Sequence, residues 1–174
     1  MNPIRMFKHL LAPPWLAQRA FPSAALQAIE AAVKAAEQRH AGELRFVVET
    51  GLSLSDLWRD ISARARAMEI FSNLRVWDTQ HNSGVLIYVQ LIDRSVEIVA
   101  DRGISARVGQ AEWDAICRNM EAAFRGGAYL RGALEAVEMI GQILATNFPG
   151  PSVSSRNGHN ANNLNELPDR PVLL

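Results

Sequence analysis

Hydrophobic residues recur with helical spacing in four segments of the chain. Each segment places apolar side chains three or four residues apart, which puts them on one face of an α-helix. Ser23 and Ser53 precede the first two segments and are the expected N-caps. The four predicted inner faces are, in chain order, Leu26-Ile29-Val33-Ala36, Leu57-Ile61-Ala65-Met68, Trp113-Ile116-Met120-Phe124 and Leu130-Leu134-Val137-Gly141-Leu144.

Three further segments have the pattern of β-strands. Residues 43–50 alternate apolar and polar positions, with Leu44, Phe46 and Val48 on one side. Residues 85–92 form an almost unbroken apolar run, which is typical of a central strand buried on both faces. A polar turn separates that run from residues 96–100, so these two segments predict a hairpin.

The order of elements predicts the fold class. A strand, a helix and a second strand form a parallel pair by a right-handed crossover, and the hairpin then adds an antiparallel neighbour. Helices cover both faces of the apolar central strand. We therefore expect an α/β fold, a three-layer αβα sandwich with a small mixed sheet. The predicted organisation is an N-terminal strap over 1–22, the α/β domain over 23–149 and a flexible C-terminal tail over 150–174.

Both ends of the chain leave alternatives open. The strap carries Phe7, Leu10, Leu11 and Trp15 among basic residues, so it either packs on the domain or anchors weakly to a membrane surface. The tail has no helical or strand period over most of its length, but residues 164–174 are more apolar and contain two prolines. This last segment either docks in an extended conformation or frays.

Composition excludes several classes of protein. Eighteen basic residues balance eighteen acidic ones, so the chain lacks the positive surplus of a nucleic-acid-binding protein. No segment approaches the ~20 apolar residues of a transmembrane helix, and no signal-peptide pattern is present. The single cysteine indicates the reducing cytoplasm. The sequence contains no P-loop and no dinucleotide-binding fingerprint, so we expect no organic cofactor.

Four stretches together resemble the TPM-domain family, in order and in spacing. They are Asn82-Ser83-Gly84-Val85-Leu86-Ile87-Tyr88-Val89, Asp93-Arg94-Ser95-Val96-Glu97-Ile98, Gly103-Ile104 and Phe124-Arg125-Gly126-Gly127-Ala128-Tyr129-x-x-Gly132. The resemblance covers about residues 24–149. Ser83 stands between the family's Asn and Gly, and Arg102 stands where a glycine is usual. The export signal and trailing membrane helix of the envelope members are missing, which favours a cytoplasmic bacterial-type member.

The resemblance implies the same mixed-sheet sandwich and several functions. Some members of the family are described as acid phosphatases and others as binders of divalent metals, calcium especially. Two functions therefore remain open for this chain. The first is a binding or scaffold domain that holds a divalent cation and contacts a protein partner, with membrane-associated proteins among the candidates. The alternative is a metal-assisted acid phosphatase that acts on phosphomonoesters, for which no catalytic residue is identified.

The predicted strand order brings several polar residues to one end of the sheet. Glu43, Asp78 and Asp101 are the predicted metal ligands, and their oxygen atoms suit Ca²⁺ or Mg²⁺. The predicted ligand-binding residues are His81 and Asn82 at this end, Arg102 next to Asp101, and Arg94 in the hairpin turn at the opposite end. The competing interpretation is a set of solvated loop acids with local turn hydrogen bonds.

Overall fold

The computed structural model describes residues 3–13, 15–150 and 166–174. The helices are α1 Pro3–Leu10, α2 Trp15–Ala20, α3 Ser23–Glu37, α4 Leu54–Trp58, α5 Ala63–Asn73, α6 Arg102–Ser105, α7 Gln110–Arg125 and α8 Tyr129–Asn147. The strands are β1 Glu43–Glu49, β2 Gly84–Gln90, β3 Ser95–Ala100 and β4 Val172–Leu173.

The four strands form one mixed sheet in the order β3-β2-β1-β4. Strand β1 runs parallel to β2, with Glu43 opposite Gly84 and Glu49 opposite Gln90. Strand β3 returns antiparallel to β2 and closes the predicted hairpin. The parallel pair, the hairpin and the central position of β2 are confirmed.

Helices cover both faces of this sheet, which confirms the three-layer αβα sandwich. On one face, α3, α7 and α8 enclose the larger core, to which Leu44, Phe46 and Ile87 contribute from the strands. On the other face, α5 packs over Val47 and Tyr88. Phe21, which lies between α2 and α3, is fully buried in the larger core. Its ring makes edge-to-face contacts with three other aromatic rings, those of Phe46, Phe124 and Tyr129.

The second predicted helix divides into two, and its predicted inner face is wrong in part. Helix α4 ends at Trp58, Asp60 has a positive φ of 52°, and Ser62 caps a new helix. The break changes which side of the second piece faces the sheet. Met68 is consequently exposed, and the buried positions of α5 are Ala67 and Ile70.

The predicted caps differ in the same region of the chain. Ser53 caps α4 as expected, since its hydroxyl accepts a hydrogen bond from the Asp56 N–H. Ser23 is the first residue of α3 rather than its cap, because Pro22 takes the extended N-cap conformation. Pro22 suits this position because its ring fixes φ near the observed −63°.

The last nine residues of the tail pack on the domain, so of the two alternatives for residues 164–174 the structure shows the docked, extended one. Val172 and Leu173 pair in parallel with Val47 and Val48 at the edge of β1. The Leu174 N–H donates to the Val48 carbonyl over 2.9 Å. Residues 151–165, which the prediction also covered, lie outside the described residues.

Candidate functional site

One end of the sheet collects most of the residues predicted to bind a ligand. Strands β1 and β2 begin at this end and β3 ends there, because β3 is antiparallel to its neighbour. The loop between α5 and β2 and the short helix α6 lie at the same end. The predicted residues at this end are Glu43, Asp78, His81, Asn82, Asp101 and Arg102.

Glu43 is occupied by the C-terminal segment. Its carboxylate accepts hydrogen bonds from the backbone N–H groups of Glu166 and Leu167, at 3.3 and 3.2 Å. Burial raises the pKa of Glu43 to about 6, against the opposing effect of these two hydrogen bonds. The side chain therefore fixes the tail to the start of β1.

The three predicted metal carboxylates are not assembled into one site. Asp78 is exposed on the loop before β2, whereas Glu43 and Asp101 are buried. Across residues 3–13, 15–150 and 166–174, no group of three or more His, Cys, Asp or Glu side chains is arranged to hold a metal ion. Any cation at this end would need backbone or amide oxygens among its ligands.

Asp101 is the acidic residue at this end with unused hydrogen-bonding capacity. It is only 8% exposed, and its Oδ1 accepts a hydrogen bond from the Arg102 N–H at 2.7 Å, which caps α6. Its Oδ2 is buried and has no hydrogen-bond partner among the described residues. A buried carboxylate oxygen without a donor is costly unless a cation or water satisfies it.

Two residues after Asp101 in sequence, a glycine in α6 lies close to two carbonyl oxygens of the loop before β2. A Cβ atom at Gly103 would lie 2.6 Å from the Asn82 carbonyl oxygen and 2.8 Å from that of His81. Only glycine allows α6 to lie so near the loop. Asn82 has a positive φ of 50°, and its Oδ1 accepts from Arg102 Nε over 3.1 Å. We call Asp101, Gly103 and the carbonyls of His81 and Asn82 the Asp101 cluster.

Arg94 lies at the opposite end of the sheet, so it is separated from the other predicted ligand-binding residues. It follows β2 in the hairpin turn, with a positive φ of 54°. It lines a cavity of about 170 Å³ together with Phe124, Arg125, Gly127 and Tyr129. Two of the stretches that carry the family resemblance therefore meet at this cavity.

The neighbouring Asp93 holds the N-terminal helix. Arg5 donates to its carboxylate at 2.8 Å, and His9 Nε2 lies 3.0 Å from its other oxygen. Burial opposes ionisation of Asp93, but the hydrogen bonds from Arg5 and His9 outweigh it and keep its pKa below the ordinary value. The sequence pattern does not indicate this contact, which joins residues more than eighty positions apart.

A second unpredicted network lies beneath α5. Arg66 binds the buried carboxylate of Glu49, with Nη2 and Oε1 2.7 Å apart, and the Tyr88 hydroxyl donates to the same carboxylate. Burial and this hydrogen bond raise the pKa of Tyr88. Arg66 lies outside the inner face that a continuous helix from Leu57 to Met68 would have. The break after α4 turns it toward the sheet.

A third group of buried charges lies between α3, β1 and the tail. Glu37 accepts a hydrogen bond from the Leu44 N–H at 2.9 Å, and burial raises its pKa to about 9. Nearby, Arg45 donates to the Arg170 carbonyl over 3.3 Å. The sequence does contain a signal for these buried charges, namely the alternation of charged and apolar residues in β1. This alternation places Arg45 and Glu49 on the face of the strand opposite to Phe46.

Comparison with known proteins identifies relatives of this fold. A family model described as a TPM domain matches residues 17–143. The BA42 protein of the psychrophilic bacterium Bizionia argentinensis, solved by NMR, is 28% identical with a TM-score of 0.73. The match covers 88% of this chain and 95% of that one. No curated protein matches.

A second solved structure supports the fold alone. It is the N-terminal domain of a protein from P. gingivalis, also determined by solution NMR, with 20% identity and a TM-score of 0.60. That match covers 79% of this chain and 90% of that one. Within the described residues, no helix combines the length and apolar character needed to cross a membrane.

Proposed function

Because this chain belongs to the TPM-domain family, we propose that it is a cytoplasmic binding domain that holds a divalent cation at the Asp101 cluster and contacts a protein partner. The observation that carries the cation part is the buried Oδ2 of Asp101, which has no hydrogen-bond partner among the described residues. A cation would neutralise this carboxylate and give the buried oxygen a ligand role.

The donor set of the cluster fits a hard cation. Carboxylate, backbone carbonyl and amide oxygens are ligands of Ca²⁺, which accepts six to eight oxygens in flexible geometry. In the proposed site Asp101 supplies one carboxylate oxygen. The carbonyl oxygens of His81 and Asn82 lie close to Gly103, two residues along the chain. A bound cation would join the loop before β2 to the start of α6. Mg²⁺ demands stricter octahedral geometry, so we favour Ca²⁺.

Substitution of Arg102 tests the proposal, because it should change the Ca²⁺ affinity in a defined direction. Its guanidinium binds the Asn82 side chain at the edge of the cluster, where a positive charge opposes a cation. Between a unit charge and a divalent cation about 5 Å apart in water this repulsion is worth roughly 1.7 kcal/mol. The substitution Arg102→Gln should therefore strengthen Ca²⁺ binding about fifteenfold at low salt.

Thermal unfolding of metal-stripped protein tests the cation site. Ligand binding to the native state at 100 times Kd contributes about 2.7 kcal/mol, which corresponds to a rise of about 5–10 °C for a chain of this size. Saturating Ca²⁺ should produce such a rise, and NaCl at matched ionic strength should not. The rise should be lost in Asp101→Asn and kept in Asp114→Asn, which changes an exposed acid on α7. No Ca²⁺-dependent rise in the wild type would contradict the proposal.

A phosphomonoester assay distinguishes the binding domain from the phosphatase alternative. Burial raises the pKa of the Cys117 thiol to about 12, so this cysteine does not supply a thiolate nucleophile at neutral pH. We expect no turnover of a generic phosphomonoester with Ca²⁺ or Mg²⁺. Turnover that requires the metal and disappears in Asp78→Ala or Asp101→Asn would favour the phosphatase.

The protein-partner part is supported by exposed apolar side chains away from the Asp101 cluster. Leu54 and Trp58 are both exposed and lie one turn apart on α4. Tryptophan is enriched where protein interfaces bury most of their binding energy. A pull-down with the wild-type chain, Trp58→Ala and the control Met68→Ala tests this surface. Proteins that bind the wild type and Met68→Ala but not Trp58→Ala would support it as the contact.

A further inference from the structure

Helix α1 packs on the domain with its polar side inward. Its buried or half-buried residues are Arg5, Met6 and His9, and two of these three are polar. His9 Nδ1 accepts a hydrogen bond from the Leu52 N–H at 3.0 Å, so its proton lies on Nε2 and is donated to Asp93. Arg5 binds the same carboxylate. Polar contacts therefore fix the orientation of this helix.

The apolar side of α1 consequently faces solvent. Ile4, Phe7 and Leu11 follow one another at steps of three and four residues, which places them on one side of the helix. They are 67%, 64% and 63% exposed. Leu10 on the same helix and Trp15 at the start of α2 are each 53% exposed. We call these five side chains the α1 patch. An amphipathic helix normally buries its apolar side. We therefore expect the exposed α1 patch to be a binding surface.

Basic residues surround the α1 patch. Lys8 is exposed beside Phe7, and Arg94 and Lys8 line the same groove as Ile4, Phe7 and Leu11. Before Glu30 the sequence contains no acidic residue. Among the described residues, those that contact α1, line its groove or lie over Trp15 include four basic and two acidic side chains, a formal charge of +2 with His9 neutral: Arg5, Lys8, Arg19, Arg94, Asp60 and Asp93.

These features favour an anionic lipid surface over a second copy of the chain. Five large side chains, each exposed by half to two-thirds, amount to about 600 Å², which is less than the ~800 Å² per partner of a stable protein interface. Two copies joined through this patch would also bring like-charged rims together. Apolar residues with Phe and Trp beside Lys and Arg are the composition of helices that lie in the bilayer interface.

We infer that the α1 patch binds the surface of an anionic membrane. Ile4, Phe7 and Leu11 enter the boundary between headgroups and acyl chains, while Lys8, Arg19 and Arg94 contact lipid phosphates. The Asp93 contacts hold the helix on the domain in the orientation that binding requires. This inference does not depend on the cation site, because the two surfaces are formed by different residues at opposite ends of the sheet.

Cosedimentation with vesicles tests the inference on the full chain. Vesicles of phosphatidylcholine mixed with phosphatidylglycerol are compared with vesicles of phosphatidylcholine alone. EDTA is present throughout, since Ca²⁺ bridging to anionic lipid would imitate binding. We expect binding to the anionic vesicles that weakens as salt is added. Binding that is equal on the two lipids, or absent from both, would overturn the inference.

Matched variants assign the binding to the patch. Phe7→Gln/Leu11→Gln should weaken binding at least about tenfold, whereas Met68→Gln/Trp77→Gln, which changes two exposed apolar residues elsewhere, should not. Lys8→Glu should weaken binding about fivefold or more, and Lys34→Glu on α3 should not. Circular dichroism should give unchanged unfolding temperatures, because all these side chains are exposed.

Two outcomes would overturn the assignment to α1. One is equal loss of vesicle binding in the patch variants and their controls. The other is a wild-type dimer in sedimentation velocity that Phe7→Gln/Leu11→Gln converts to monomer without any vesicle binding by the wild type. That second result would identify the α1 patch as a self-association surface.

Discussion

Individual buried carboxyl groups make stability depend on pH. Glu37 and Glu43 have pKa values raised to about 9 and about 6 from the ordinary 4.5. Above pH 4.5 the unfolded chain releases these protons while the folded chain retains them. The folded state then binds more protons than the unfolded state, so these two groups make the free energy of unfolding fall as pH rises.

The substitution Glu37→Gln should reduce this pH dependence. Glutamine keeps an oxygen for the Leu44 N–H and an N–H donor in place of the carboxyl proton, but it does not titrate. We expect the fall in unfolding temperature between pH 5 and pH 9 to be smaller in the variant, with the variant more stable near pH 8. Differential scanning calorimetry measures both. Glu112→Gln, at an exposed position of α7, is the control, and equal slopes in all three proteins would refute the assignment.

Gly84 shows how one residue limits the approach of two segments. A Cβ atom there would lie 1.9 Å from the Val76 carbonyl oxygen, a distance that requires the backbone to move. We expect Gly84→Ala to cost at least about 3 kcal/mol of unfolding free energy in urea titrations. Gly126→Ala, whose nearest neighbour would be 3.4 Å away, should change it by less than about 1 kcal/mol. Similar costs for the two variants would contradict this account.

At the scale of elements, the periodic patterns correctly predicted those helices and strands whose buried face is set by residues close together in sequence. The helices around Ile29, Ile116 and Val137 and the strands around Phe46 and Ile87 each bury a regular apolar face, and all five are where the pattern indicates. The break after α4 was not predicted, because the pattern from Leu57 to Met68 fits one continuous helix. The positive φ of Asp60 leaves no periodic signal.

Contacts between distant segments were the part of the site that sequence alone did not give. Glu43 was predicted as a metal ligand from its strand position, and that position was correct. Its actual partners, Glu166 and Leu167, lie more than 120 residues away, and no periodicity links such residues. Asp101 was predicted from the same strand order, whereas the close approach of Gly103 to the carbonyls of His81 and Asn82 follows only from atomic distances.

The docked tail segment should contribute measurably to stability. Leu167 is buried in the core cluster beneath α5, so Leu167→Ala should lower the unfolding free energy by about 2 kcal/mol. Leu173 lies in the same segment but is 36% exposed, and Leu173→Ala should change it by less than about 1 kcal/mol. Urea denaturation compares the two. If Leu167→Ala had no effect, the docked tail would not stabilise the fold.

For the whole molecule, the sheet separates the proposed cation site from the proposed membrane-binding surface. The Asp101 cluster lies where β1 and β2 begin, and Asp93, which holds α1, follows the end of β2. A molecule bound to a membrane through α1 would therefore present the Asp101 cluster away from the bilayer. In this arrangement a cation and a membrane occupy the domain together without competing for residues.

The measurement that tests the central claim most directly is a Ca²⁺ titration of metal-stripped, ¹⁵N-labelled protein followed by two-dimensional ¹H–¹⁵N NMR. We predict saturable amide shifts that begin in residues 80–84 and 100–104, and no such shifts in Asp101→Asn. Absence of saturable shifts, or saturable shifts confined to other parts of the domain, would contradict a cation site at the Asp101 cluster.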